Sequence, residues 1–312
     1  MLIGSRYWDQ VHKKKGMFRL KAGYLGPKAT FTDIAVQSAF PWMERIPFET
    51  IPDCLDAVNA NQVDVAVVPL ENTLEGSVHL TVDYLYHESN PPIVAEITVP
   101  IQQHLMVHPE NQESWRETEK VFSHPHAIAQ CHKFLHGDLR GASVGQVTST
   151  AAAAKYVSDH PELKAAAIAN ELAAEKYQLS IVKRNIHDLP YNHTRFIAVS
   201  SQTLQKEIKL NVSHIKTTVM VTLPSDRAGA LHQVLSAFAW RSLNLSKIES
   251  RPLKTGLGNY FFMIDILANS ENLLVQNAIQ EIEAIGCTVK VLGGYASYEA
   301  DLTARKAYSS MG

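Results

Sequence analysis

"VDVAVVPLENTLEGS", residues 63–77, is the stretch on which the fold turns. Residues 63–70 are a short β-rich apolar run, the mark of a strand covered on both faces. A polar segment with Asn72, Thr73 and Gly76 follows without a break. The same design recurs at "GPKATFTD" (26–33), "SHPHAIAQ" (123–130) and "TSTAAAAK" (148–155), each placed after a strand-like run and each offering Ser or Thr at a helix start. Further β-rich runs are "AGYL" (22–25), "PIVAEITV" (92–99), "HLMV" (104–107), "AAAIA" (165–169) and "FIAV" (196–199). Helical patterns lie between them at 32–40, 53–60, 126–135, 150–158 and 170–177. Such alternation predicts an α/β unit with mostly parallel sheets. Residues 21–200 are too many for one small sheet, so two lobes with a cleft between them are expected.

Outside this unit the chain divides further. Residues 1–20 hold Lys13, Lys14 and Lys15 without an apolar core, so they read as a disordered N-terminal extension rather than a secretory signal. Residues 201–215 are polar and aperiodic and read as a linker. A second unit, 216–298, follows, with a tail at 299–312. Its strands are "KTTVMVTL", "LSKIESRPL", "NYFFMIDIL" and "CTVKVLGGY", with a Gly-bearing turn, "KTGLGN", between the middle two. One helix places Leu231, Val234, Leu235 and Phe238 on a face, and the other Leu274, Ala278, Ile282 and Ile285, with Ser270 as its expected cap and Gly286 as its stop. The order βαββαβ predicts a ferredoxin-like sandwich.

Composition narrows the partners. The 312 residues are 46% hydrophobic, with a formal net charge of −2, so neither a nucleic-acid nor a membrane surface is indicated. No run approaches the ~20 apolar residues of a spanning helix. Cys54, Cys131 and Cys287 are odd in number and far apart, which favours a reducing cytoplasm over a disulfide framework. His124, His126 and His132 do not share a helical face, so no metal is expected. The chain has no G-x-G-x-x-G after a strand, no Walker loop and no G-x-S-x-G elbow.

The candidate chemistry is therefore anion binding at helix N-termini, where unsatisfied N–H groups and a partial positive charge converge beyond strand ends. The hydroxyls of Thr32, Ser149 and Thr150 fit that role, and each also fits a plain helix cap. "DLPYNHTRFIAVSS" (188–201) sets Thr194 beside Arg195 at the mouth of an apolar run. Either this is a turn with a surface arginine, or both side chains face a cleft and hold an anion.

Taken together, "GYLGPKATFT", "VPLENTLEGSV", "SHPHAIAQC", "TSTAAAA" and "NHTRF" resemble, in order and spacing, the prephenate dehydratase family. "GALHQVL" followed by "ESRP" resembles its regulatory ACT domain. The resemblance spans about residues 22–298 and is nearest to the Bacillus-type stand-alone enzyme. It implies a two-lobed catalytic domain like type II periplasmic binding proteins, with the ACT domain appended. It also implies loss of carbon dioxide and water from prephenate to give phenylpyruvate, in phenylalanine biosynthesis and without a cofactor.

Thr194 is then expected to be catalytic, with Asn72, Thr73, Arg195, Thr32, Ser149 and Thr150 around the substrate, Phe196 either in the core or as a wall of that cleft, and Arg195 on the pyruvyl carboxylate. Gly229, Ala230, Leu231, Asn244, Leu245, Glu249 and Ser250 are expected to line a phenylalanine site between ACT domains of a homodimer or homotetramer. Two departures from the family pattern are Ala29, where many members carry Gly, and Thr73, where many carry Ser. A methyl at 29 restricts the loop if it needs positive φ. The rival readings are a non-catalytic anion- or amino-acid-binding sensor of the same fold and an inactive homologue that keeps only the sensing.

Overall fold

A computed structural model describes residues 20–88, 91–202, 208–225, 227–253 and 260–300. The expectations for residues 1–19, 203–207, the 254–259 turn and 301–312 lie outside that range.

The first lobe is built from β1 (Lys21–Leu25), α1 (Phe31–Ala39), β2 (Glu44–Phe48), α2 (Ile51–Asn59), β3 (Val65–Asn72), β4 (Gly76–Ser77), α3 (His79–His87) and β5 (Ile93–Pro100). The chain then crosses into the second lobe: β6 (His104–Val107), β7 (Lys120–Ser123), α4 (Pro125–Gln130), α5 (His132–Asp138), β8 (Ser143–Gln146), α6 (Thr150–Asp159), β9 (Ala165–Ala169), α7 (Glu171–Tyr177) and β10 (Ser180–Lys183). It returns as β11 (His193–Val199), inserted between β5 and β3. Only two segments connect the lobes, and they touch where Ile186 N donates to Gln103 O at 2.9 Å.

Helix starts follow the expected chemistry. Side chains of Thr30, Thr50, Ser149 and Asn170 accept from the backbone N–H three residues on, each satisfying one orphan donor of the first turn. Thr30, not Thr32, caps α1, and Thr32 is buried within it. The helix expected at 126–135 is two, broken at Cys131, and the Asp188 carboxylate accepts from Lys133 N at the second start.

The second unit contains β12 (Val212–Thr222), α8 (Ala230–Ala239), β13 (Leu245–Pro252), β14 (Tyr260–Ile266), α9 (Leu273–Ala284) and β15 (Thr288–Glu299). The strand order β13-β14-β12-β15 is that of a ferredoxin-like sandwich. Asn272 rather than Ser270 caps α9, and its buried stripe is Val275, Ala278 and Ile282, while Leu274 and Ile285 stay exposed. Strand β12 begins at Val212, four residues before the expected strand start at 216.

Neither sheet is mostly parallel. β11 runs antiparallel to both neighbours, and β6 antiparallel to β9 and β10. The units are not separate bodies either. β15 pairs in parallel with β5, giving a 10-stranded sheet that runs through the first lobe and the second unit. One face of the second unit packs α8 and α9 over Val219, Val221, Ile264 and Ile266. Its other face joins Met220, Phe261, Met263 and Tyr295 to the first lobe's Leu55, Val68, Leu85 and Ile197. Tyr86 of α3 stacks on Phe261 at 4.0 Å between ring centroids.

Candidate active site

Strand β11 starts at His193, three residues earlier than its apolar run suggests. Thr194 and Arg195 therefore lie inside a strand, where neighbours project to opposite faces. That single shift separates two side chains expected to share one pocket.

On one face, Thr194 stands opposite Asn72 of β3. Asn72 Nδ2 donates to Thr194 Oγ1 at 2.8 Å. The amide is oriented by its own oxygen, which accepts from Leu74 N at 2.9 Å and Glu75 N at 3.1 Å in the β3–β4 turn. With a lone pair of Thr194 filled by a donor, its hydroxyl hydrogen is directed elsewhere. No protein acceptor for it occurs among the described hydrogen bonds. Thr73 ties the same turn to the strand: its Oγ1 lies 3.1 Å from His193 O, and its N–H donates to that carbonyl at 2.9 Å. Thr194 is 8% exposed, so its hydroxyl is largely shielded from solvent.

The lobes touch at the loop after β1 and at the β3–β4 turn. The loop after β1 packs Ala29 against Ala151 and Ala153 in the first turns of α6. Asn170, the cap of α7, donates from Nδ2 to Ala29 O at 2.9 Å. Ala29 has φ 67 and is fully buried, so this loop does need the left-handed region, and a non-glycine residue supplies it. At the other rim, Glu75 on the β3–β4 turn meets Gln130 Nε2 at 3.4 Å and His126 Nε2 at 3.8 Å. Neither Gln130 nor Asn170 was singled out by the sequence. Gln130 closes the "SHPHAIAQ" stretch and Asn170 is a helix cap, but only packing shows that they reach the other lobe.

The structure brings Asn72, Thr73 and Thr194 together directly. Ser149 and Thr150 open α6 beside the Ala29 loop, which also leads into Thr32. Of its two expected places, Phe196 takes the core. It is 2% exposed among Tyr24, Ile34, Ile97 and Ala198, so it packs the first lobe's core and does not face the cleft.

Arg195 departs from expectation. Its Nη1 donates to Glu71 at 2.6 Å, its Nη2 to Glu96 at 2.5 Å and to Asp265 at 2.7 Å, and its Nε to Glu96 at 3.1 Å. Lys216 donates to the other Glu96 oxygen at 2.7 Å, as does Ser297 at 2.7 Å. Burial alone would push the Glu71 and Glu96 carboxyls up. Hydrogen bonds and the Arg195, Lys216 and Lys247 charges outweigh it, and both are held below the ordinary value. The guanidinium is thus committed to three carboxylates on the face away from Thr194. The expected grip on a substrate carboxylate is not what the structure builds.

The expected effector residues also divide. Gly229, with φ 82, and Ala230 open α8, with Leu231 packed on the helix-side core. Leu245 packs on that same core, and Asn244 O accepts from Leu267 N at 2.8 Å. A register shift after Leu245 turns Lys247, Glu249 and Arg251 to the face that meets the first lobe. Glu249 there contacts Lys247 and accepts from Ser77 Oγ, so it faces away from Gly229, while Ser250 is exposed.

Among the described residues, no group of three or more His, Cys, Asp or Glu is placed to hold a metal ion, and no helix is long and apolar enough to cross a membrane.

Comparison with known proteins places this geometry. A family model described as prephenate dehydratase matches residues 22–204, and one described as ACT domain matches residues 217–284. A prephenate dehydratase of Bacillus subtilis (strain 168) is 56% identical over 284 residues, covering 90% of this chain and all of that protein. A bifunctional chorismate mutase/prephenate dehydratase of Aquifex aeolicus is 37% identical, covering 89% of this chain and 74% of its own length. Among solved structures, a prephenate dehydratase from Arthrobacter aurescens in complex with L-Phe is 33% identical with TM-score 0.78, covering 94% of this chain and 97% of that one.

Proposed function

Because this chain belongs to the prephenate dehydratase family and carries an ACT domain, we propose that Thr194 is the residue on which its dehydration step depends. In that reaction the ring carboxylate leaves as carbon dioxide. Its bonding pair becomes a ring double bond, and the ring hydroxyl departs as water with a proton. Aromatisation supplies the driving force. An alcohol is too weak an acid to hand over a full proton unaided. A positioned O–H aimed at the oxygen on which charge develops is the stronger account.

The Asn72 Nδ2 to Thr194 Oγ1 hydrogen bond, 2.8 Å, carries this reading, because it fixes the hydroxyl and turns its hydrogen outward. Thr73 and the helix starts at Thr32, Ser149 and Thr150 are the proposed neutral donors for the substrate carboxylates. A neutral cradle suits a reaction in which one carboxylate must leave, since gripping it equally in ground and transition states would not speed its loss.

Turnover of prephenate to phenylpyruvate tests the assignment. Thr194→Ala is expected to lower kcat by about 10²–10³-fold, the range for removing one aimed donor. Retained activity in Thr194→Ala removes Thr194 from the role, and an inactive wild type favours a sensor over an enzyme.

Regulation belongs to the same proposal. L-phenylalanine is the proposed effector, serving end-product control in phenylalanine biosynthesis, and the L-Phe complex of the Arthrobacter relative supports it. Its proposed contacts are Gly229, Ala230, Leu231, Asn244, Leu245 and Ser250. The free edge of β13 and the exposed Trp240 and Ile248 support pairing of C-terminal units into a dimer or tetramer. Three free, buried thiols fit a cytoplasmic setting.

A further inference from the structure

The cleft-facing pair Thr194–Asn72 has a second pair behind it. In the same register, Arg195 stands opposite Glu71, one residue along on each strand. Both are held by the C-terminal unit. Asp265 of β14, 0% exposed, takes Arg195 at 2.7 Å and accepts from Thr218 Oγ1 at 2.7 Å. Lys247 of β13 reaches both legs of the β3–β4 hairpin, with Nζ 2.9 Å from Glu71 Oε1 and 2.8 Å from Ser77 Oγ. Glu249, 3.0 Å from Lys247, holds the ammonium in place and also takes Ser77. That hairpin carries Asn72 and Thr73.

We propose that Arg195, Glu71 and Lys247 are positioning residues for the dehydration, through which the ACT domain fixes the hairpin and strand that present Asn72 and Thr194. This deepens the reading of Thr194 and rests on it. A paired, buried guanidinium tolerates few geometries, because sliding one strand strands a charge in the interior. Displacing β13 or β14 relative to β3 and β11 must therefore break a buried pair or move the backbone beside Thr194. A shift of an ångström at an aimed donor is enough to slow a reaction many-fold. Effector binding in the C-terminal unit thus has a direct mechanical route to the site, with no hinge movement of the lobes needed.

Lys247→Met in the full chain is the test, because Lys247 touches neither Thr194 nor the proposed effector residues. Phenylpyruvate formation without effector is expected to show kcat lowered about tenfold, with KM for prephenate within about twofold, a coupling of ordinary size. Lys247→Arg, which keeps the charge, is expected to recover most of kcat. The acid limb of kcat is expected to move to higher pH in Lys247→Met. Among the described residues, Glu71 then faces only Arg195 of β11 as a cation, beside Ser77 of β4 and Glu249 of β13. Glu249→Gln, which loosens Lys247 without removing it, is expected to act in the same sense and serves if Lys247→Met does not fold. Wild-type kcat in folded Lys247→Met, or a rise in KM with kcat unchanged, overturns the inference while leaving Thr194 in its role. An inactive wild type, or an active Thr194→Ala, overturns the underlying reading and this inference with it.

Discussion

The first lobe meets the rest of the molecule along two seams, and they are built oppositely. Toward the C-terminal unit it shares a continuous sheet, a common apolar core and a buried set of charges around Arg195. Toward the second lobe it shares two connecting segments, the Ala29–Asn170 contact and a long-range pairing of Glu75 with Gln130 and His126. The first seam resists any change of register, since every displacement exposes or orphans a charge. The second is held by a few hydrogen bonds and the apolar seat of Ala29 against Ala151 and Ala153, so less is lost if it parts. Thr194 and Asn72 lie where the two meet, with a rigid seam behind them and a separable one in front.

The largest test of this contrast is Arg195→Met. It leaves Glu71, Glu96 and Asp265 without their shared cation, and a loss of about 3–5 kcal/mol is expected for a broken buried pair. Urea unfolding would measure it, and a loss below about 1 kcal/mol would show that this seam is no more demanding than a surface.

Acid should find the same seam. The folded-state pKa values of Glu71 and Glu96 are depressed below the ordinary 4.5. The stability they contribute is therefore fully present above that value and is lost as pH falls through the depressed values. Unfolding midpoints measured from pH 6 down to about pH 3 should fall, and more steeply in wild type than in Glu71→Gln.

At the separable seam the expected effect is smaller. Asn170→Ala removes a cap from α7 and one bond to Ala29 O, which should cost about 1–2 kcal/mol. Prephenate KM should rise at the same time, because the contact that holds the two lobes together is weakened. A stability loss with KM unmoved would assign Asn170 to capping alone.

Much of this was legible in the chain. The interior strands β3, β5, β9 and β11 show as apolar runs because burial on both faces demands them. The strands without a signal, β2 "ERIPF" and β10 "SIVK", are edges of their sheets. An edge strand is half solvated, and β2 can even hold Pro47. The motifs around Asn72 and Thr194 prove to lie on adjacent strands. What failed was direction. The strand was expected only from Phe196, so Thr194 and Arg195 were expected to face one cleft together. Once β11 begins at His193, alternation forbids it. Glu249 was misplaced for a related reason, since the register shift after Leu245 cannot be seen in "LSKIESRP".

By itself the sequence determined which segments become interior strands and most helices, and which family pattern they repeat, because periodicity is a local property of a chain. Only the tertiary structure decided that Asn72 and Thr194, 122 residues apart, form one hydrogen-bonded pair, and that Arg195 turns away toward Glu96 and Asp265. Partners so distant are chosen by strand register and by the need to neutralise charges buried where two units join, and neither is written in the spacing of residues along the chain.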